Sequence, residues 1–157
     1  MATYDMGQWK HSPQRKARKV FKAISRVLDF NIDPITDAAG TTTTWAVGDI
    51  VQLIGLRAGT TILGVDVEVM KRCLPAGARV KIGYGSDTDR WGTWKIDGLT
   101  LGQLDPESDN KQGGVVNNFA PLNFTSTDTI DMILFNKIMT AGRIKLTVYV
   151  LEDARLN

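Results

Sequence analysis

The clearest pattern in this chain is a period of two. Between Gly48 and Gly85 three apolar runs are separated by turn residues. Ile50, Val51, Leu53 and Ile54 make the first. Ile62, Val65, Val67 and Val69 make the second, with Asp66 and Glu68 between the valines. Val80 and Ile82 make the third, flanked by Arg79 and Lys81. Alternation over β-branched residues predicts strands with one dry and one wet face. The segments RAGT and LPAG predict reversals, since Gly reaches positive φ cheaply and Pro fixes its own. The three strands read as an antiparallel meander. Further on, 129–135 (TIDMILF) and 143–153 (RIKLTVYVLED) read as two strong strands, a hairpin with its loop near 136–142. In the last strand Ile144, Leu146, Val148 and Val150 share a face.

Weaker elements fill the rest. Residues 22–31 read as an early strand, although Val20, Phe21, Ile24, Val27 and Leu28 also fit the spacing of a basic amphipathic helix. The segment 32–49 reads as a loop in which Thr41–Thr44 could extend, with Trp45 as a cap. Trp91, Trp94 and Ile96 read as a strand. The span from Leu99 to Asp128 is a long polar loop, with strand-like positions at Val115, Val116, Phe119, Leu122 and Phe124. About eight strands and no firm helix predict an all-β fold: an antiparallel β-sandwich, jelly-roll-like, with an extended N-terminal arm. The expected division is a basic arm over 1–21 and a sandwich domain over 22–157.

A chain of 157 residues with 43% hydrophobic and 23% charged residues has the composition of one globular domain. The net charge of +2 hides an asymmetry. Residues 1–22 hold six basic side chains against Asp5, and the remainder holds 13 basic and 16 acidic ones. Three readings of Arg15–Lys22 stand: a solvated lead-in, contact with an acidic protein surface, or contact with nucleic acid. A charge excess of this size alone gives only weak, salt-sensitive binding. No apolar run is long enough to cross a membrane as a helix, and no apolar stretch at the start suggests a secretory signal.

Candidate chemistry is sparse. Cys73, the only cysteine, cannot form an intrachain disulfide and reads as a half-buried strand-end residue. His11, the only histidine, lies in the polar arm, so neither a nucleophile triad nor a zinc site is expected. Asp87 and Asp89 suggest calcium. Counted from Asp87 as a calcium-loop pattern, however, the fifth and twelfth ligand positions fall on Trp91 and Gly98. Asp66 and Glu68 read as a solvated strand face. Trp45, Trp91 and Trp94 could stack a sugar, but read more simply as core. No catalytic residue, cofactor or metal is expected.

Four stretches carry a family resemblance: VLDF (27–30), DIVQLIGLRAGTTILGVDVEV (49–69), VKIGYGSDTDRW (80–91) and TIDMILFNKIMTAGRIKLTVYV (129–150). Their order resembles the small capsid decoration, or cement, proteins of tailed bacteriophages, over about two thirds of the chain. Arg57 stands where the family pattern has Pro. Ile50 and Val51 carry its paired apolar positions, and Gly83, Gly85, Ser86 and Asp87 carry its turn. The resemblance implies a structural virion protein on the capsid exterior, made in the bacterial cytoplasm. It implies a homo-oligomer, commonly a trimer, bound to the major capsid protein, with no nucleic acid or membrane partner. Tyr4, Trp9, Arg15, Lys16, Arg18, Lys19 and Lys22 are the expected capsid contacts. The alternative is a phage fibre or tail-associated β-sandwich that binds carbohydrate through Trp45, Trp91 or Trp94.

Overall fold

A computed structural model describes residues 19–31, 35–36, 42–43, 45–97, 102–104 and 121–153. Eleven strands lie among them: β1 (Lys19–Asp29), β2 (Ile35–Thr36), β3 (Thr42–Thr43), β4 (Ile50–Leu56), β5 (Thr61–Leu74), β6 (Arg79–Gly83), β7 (Thr93–Lys95), β8 (Gly102–Leu104), β9 (Leu122–Asn123), β10 (Asp128–Leu134) and β11 (Ala141–Asp153). No helix occurs among the described residues. The all-β sandwich is therefore as the alternation predicts.

The strands form two facing antiparallel layers. One has the order β1-β11-β5-β8, with β9 also pairing β5; the other has the order β4-β10-β6-β7. Among the described residues β2 and β3 pair with each other and with no other strand, inside the segment read as a loop. Outside that ribbon the chain crosses repeatedly between the layers, and its first strand pairs with its last. This is jelly-roll order.

Two sequence expectations fail here for one reason. β4, β5 and β6 are not a meander, because RAGT and LPAG each carry the chain across to the facing layer. β10 and β11 are not a hairpin either: β10 lies between β4 and β6, and β11 between β1 and β5. In a sandwich both layers point their apolar sides at the same interior, so crossing over and turning back produce identical alternation. Two boundaries also move. The first strand starts at Lys19 rather than 22, and Trp91 sits in the turn before β7 rather than in a strand. β8 and β9 lie within the span read as a polar loop.

The core is built from both layers. Ile62, Val65, Val67 and Val69 of β5 and Ile144, Leu146, Val148 and Val150 of β11 face Ile54, Leu56, Val80, Ile82, Trp94, Ile130, Met132 and Leu134. Burying each of these side chains contributes about 1.5–3 kcal/mol before entropy is counted. Ile62 and Val65 both point inward because of a bulge. Tyr149 pairs with Gly64 while Val150 pairs with Ile62, so Leu63 is the extra residue. A second shift near Arg143 makes Met70 extra in the same way. At one end of the sandwich Trp45 packs edge-on against Phe30, with ring centroids 5.2 Å apart, in the capping role expected of it.

Candidate interaction surface

β1 is the outermost strand of its layer. It reads KVFKAISRVLD, with apolar residues on both faces and no Gly or Pro, and it pairs with β11 without a register shift. At its end the Phe30 amide donates to the Gly142 carbonyl at 2.9 Å. Antiparallel pairing alternates, so the even-numbered positions of β1 bond to β11. Phe21, Ala23, Ser25 and Val27 therefore direct their backbone N–H and C=O groups away from the sheet. Among the described residues, β1 has hydrogen-bonded strand pairing only with β11.

The side chains of β1 lean back over their own sheet. The Lys19 Nζ donates to Thr61 Oγ1 at 2.9 Å, and the Lys22 Nζ donates to Glu152 Oε2 at 2.5 Å. Ser25 Oγ and Thr147 Oγ1 share a hydrogen bond of 3.0 Å, and Phe21 stacks on Tyr149 with centroids 6.2 Å apart. At the far end Arg143 grips Asp29 through Nε at 2.9 Å and Nη2 at 2.6 Å. That guanidinium, with the Asn31 amide, holds the Asp29 carboxyl below the usual carboxylate range. Phe21 nevertheless remains 58% exposed and Val27 43%.

Of the expected contact residues, Tyr4, Trp9, Arg15, Lys16 and Arg18 lie outside the described residues. Lys19 and Lys22 both lie at the start of β1, as part of the sandwich rather than of an arm, but on opposite faces of the strand, Lys19 on Thr61 and Lys22 on Glu152. Sequence reasoning passed over Phe21 and Val27 as exposed groups. The signal was present: β1 has apolar residues at both parities, more than a single buried face can use.

The groups considered for chemistry are placed as follows. Cys73 is fully buried, not half-buried; desolvation pushes its thiol up to about 12, with Asp97 adding to the effect. Trp45, Trp91 and Trp94 are all buried core residues, so none offers a face to a sugar. Asp89 accepts from Lys81 Nζ at 3.1 Å, and Asp87 lies 3.8 Å from Arg90. Glu68 accepts from Lys145 at 3.1 Å on the outer face, and Asp66 is hydrogen-bonded to Tyr149. Among the described residues no three metal-ligating side chains come together.

The turn carrying Asp87 does something the sequence reading missed. The Tyr84 amide donates to the Asp87 carbonyl at 3.0 Å and the Asp87 amide to the Tyr84 carbonyl at 2.7 Å, closing a tight loop at Gly85 and Ser86. The following residues fold back over Gly83. A Cβ at that glycine would lie 2.2 Å from the Asp87 carbonyl oxygen. Asp131 is only 5% exposed although it faces away from the core. Burial raises its carboxyl above the usual range, with Asp128 adding repulsion, against hydrogen bonds from the Thr129 hydroxyl at 2.6 Å and the Gly85 amide.

No family model matches the chain, and no curated protein matches it. A chain in a solved structure, the acidic stable capsid structure of Helicobacter pylori bacteriophage KHP30, is similar at 14% identity with a TM-score of 0.44. The match covers 85% of this chain and 91% of that one.

Proposed function

We propose that this chain is a non-enzymatic virion component, a decoration protein that seats on the outside of a phage head and strengthens contacts between major capsid subunits. One observation carries the reading. The stretches that resemble the cement proteins are the joined strands and turns of the sandwich, not scattered loops. VLDF closes β1 into Phe30, 49–69 runs through β4 to β5, 80–91 is β6 with its folded turn, and 129–150 leads from β10 into β11.

In this reading the basic residues before β1, with Lys19 and Lys22 at its start, meet acidic ground on the shell, and Tyr4 and Trp9 anchor the contact. Contact made chiefly through exposed charges is screened by salt, so one copy binds weakly. A homo-oligomer presents several such segments on one particle, and linked contacts multiply without each being strong. The carbohydrate alternative needs an aromatic stacking face, and the buried Trp45, Trp91 and Trp94 do not supply one.

The test is co-sedimentation with phage shells stripped of the protein. Deleting residues 1–18 leaves β1 whole. The deletion is expected to weaken binding at least tenfold near 0.1 M salt, with a smaller difference as salt rises. Unchanged affinity would remove the arm from the contact. Failure of the full chain to bind any shell would end the decoration reading.

A further inference from the structure

We propose that this chain assembles through the outer face of its four-stranded layer, with Val47, Ile50, Ile133 and Phe135 of three copies closing around one axis. The proposal concerns the protein alone in solution and does not depend on shell binding.

The first argument is the difference between the two outer faces. On the five-stranded layer Arg143 holds Asp29, Lys145 holds Glu68, Tyr149 holds Asp66, and Ser25 meets Thr147. Covering those groups would strip water from charges. Phe21 and Val27 are exposed there singly, with Ser25 between them. The four-stranded layer differs. Half of its outer face lies under the turn that folds back over Gly83. On the other half Ile50 lies opposite Ile133, and Phe135 follows two places on along the same side. The Gly48 amide donates to the Leu134 carbonyl at 2.8 Å, which sets Val47 next to Phe135 along the ladder. Ile50 is 56% exposed, Val47 50% and Phe135 45%. Apolar groups gathered in one strip gain by leaving water together.

The second argument is what the strip fits. The charges that border it are engaged within the chain. Lys81 Nζ reaches Asp89 at 3.1 Å and lies 4.6 Å from the centre of the Phe135 ring, and Asp49 accepts from the Ala46 amide at 2.7 Å. The strip therefore calls for no partner of opposite charge, and copies of it meet without repulsion. Contacts between permanent subunits are the more apolar class of interface, which suits an uncharged strip. The basic start of β1 lies at the other end of the sandwich, Lys19 on Thr61, so copies join here without crowding it. The number three follows from position. Among the described residues β4 is the outermost strand of its layer, and Val47 sits in the turn that leads into it, so the strip occupies a corner. A flat face is covered by one partner, whereas corners are enclosed when three converge on an axis and the ring closes.

Sedimentation equilibrium of the full chain over a concentration series tests this. The expected mass at the upper concentrations is three protomers. Ile50→Lys puts three like charges at the axis, on a side chain that the single chain leaves exposed. It is expected to weaken the trimer at least tenfold with an unchanged far-UV spectrum. Phe21→Lys, on the outer face of the other layer, is expected to leave the mass unchanged. A chain monomeric at every concentration, a mass of two protomers, or an Ile50→Lys trimer as tight as wild type would each overturn the proposal. Dissociation by Phe21→Lys with no effect of Ile50→Lys would overturn it too, and would move the contact to the five-stranded layer. A monomer whose binding to phage shells is lost in Ile50→Lys would give the strip to the capsid instead. A monomer whose melting temperature falls in that variant would give it to another segment of this chain. Should Ile50→Lys fail to fold, Val47→Lys in the preceding turn decides.

Discussion

Gly142 shows how much can rest on a missing side chain. Its φ is +123°, and a Cβ there would lie 2.5 Å from the Cys73 Cα and 2.6 Å from its sulfur. Gly142→Ala therefore meets both backbone strain and a collision with a neighbouring main chain. It is expected to cost about 3–5 kcal/mol, read as a fall in the denaturant midpoint. Two carboxylates give opposite pH dependences. Asp29 has its pKa lowered in the folded state, so its contribution is present above the ordinary 3.8 and is lost as pH falls through the lowered value. Asp131 has its pKa raised, so its contribution is complete below 3.8 and is lost as pH rises through the raised value. Relative to wild type, Asp131→Asn is expected to gain stability from pH 3 to pH 7. Asp29→Asn is expected to lose it over the same range. Melting temperature against pH checks both, and parallel curves would contradict the assignment.

At the scale of elements, the turn over Gly83 is a lid on the outer face of its sheet, covering what would otherwise be wet. Gly83→Ala pushes the added methyl against backbone that has little room to yield. The variant is expected to lose about 1–3 kcal/mol and to shift Trp emission to the red, since Trp91 packs beside Tyr84 within that turn. The elements also show what could be read from the chain beforehand. β5, β10 and β11 were legible because buried β-branched and aliphatic residues alternate in them. The bulge at Leu63 was not, because one extra residue simply resets the alternation and leaves no trace in composition. β1 was ambiguous with a helix for a related reason: an edge strand wet on much of both faces has no clean period. The Asp87 turn drew attention as a calcium candidate, yet its aspartates serve Lys81 and Arg90. Nothing in its sequence says that it folds back rather than outward. Of the contact surface, the basic charge was readable and the outward hydrogen-bonding row of β1 was not, since its phase is set by Phe30 meeting Gly142.

For the molecule as a whole, the layers share one interior and neither has an interior of its own. Ile82 of β6 and Ile144 of β11 belong to the same buried cluster. Ile82→Ala and Ile144→Ala are each expected to cost about 2–5 kcal/mol. Both should shift a single transition seen alike by Trp fluorescence and far-UV circular dichroism. Separate transitions for the two variants would show layers that unfold independently. Sheet membership could not be read from the chain, since a side chain buried from above and one buried from below are the same hydrophobic letter.

The pairing of β1 with β11 also sets a timetable for biosynthesis. Lys22 and Glu152 are 130 positions apart, so a nascent chain emerging from the ribosome carries β1 for most of its synthesis before its neighbour exists. β5 waits likewise for the strand that will lie between them. Contacts of such long sequence separation make for slow closure and a prolonged exposure of sticky backbone. A product cut short before β11 loses the central plank of that sheet, leaving β1 and β5 with no strand between them.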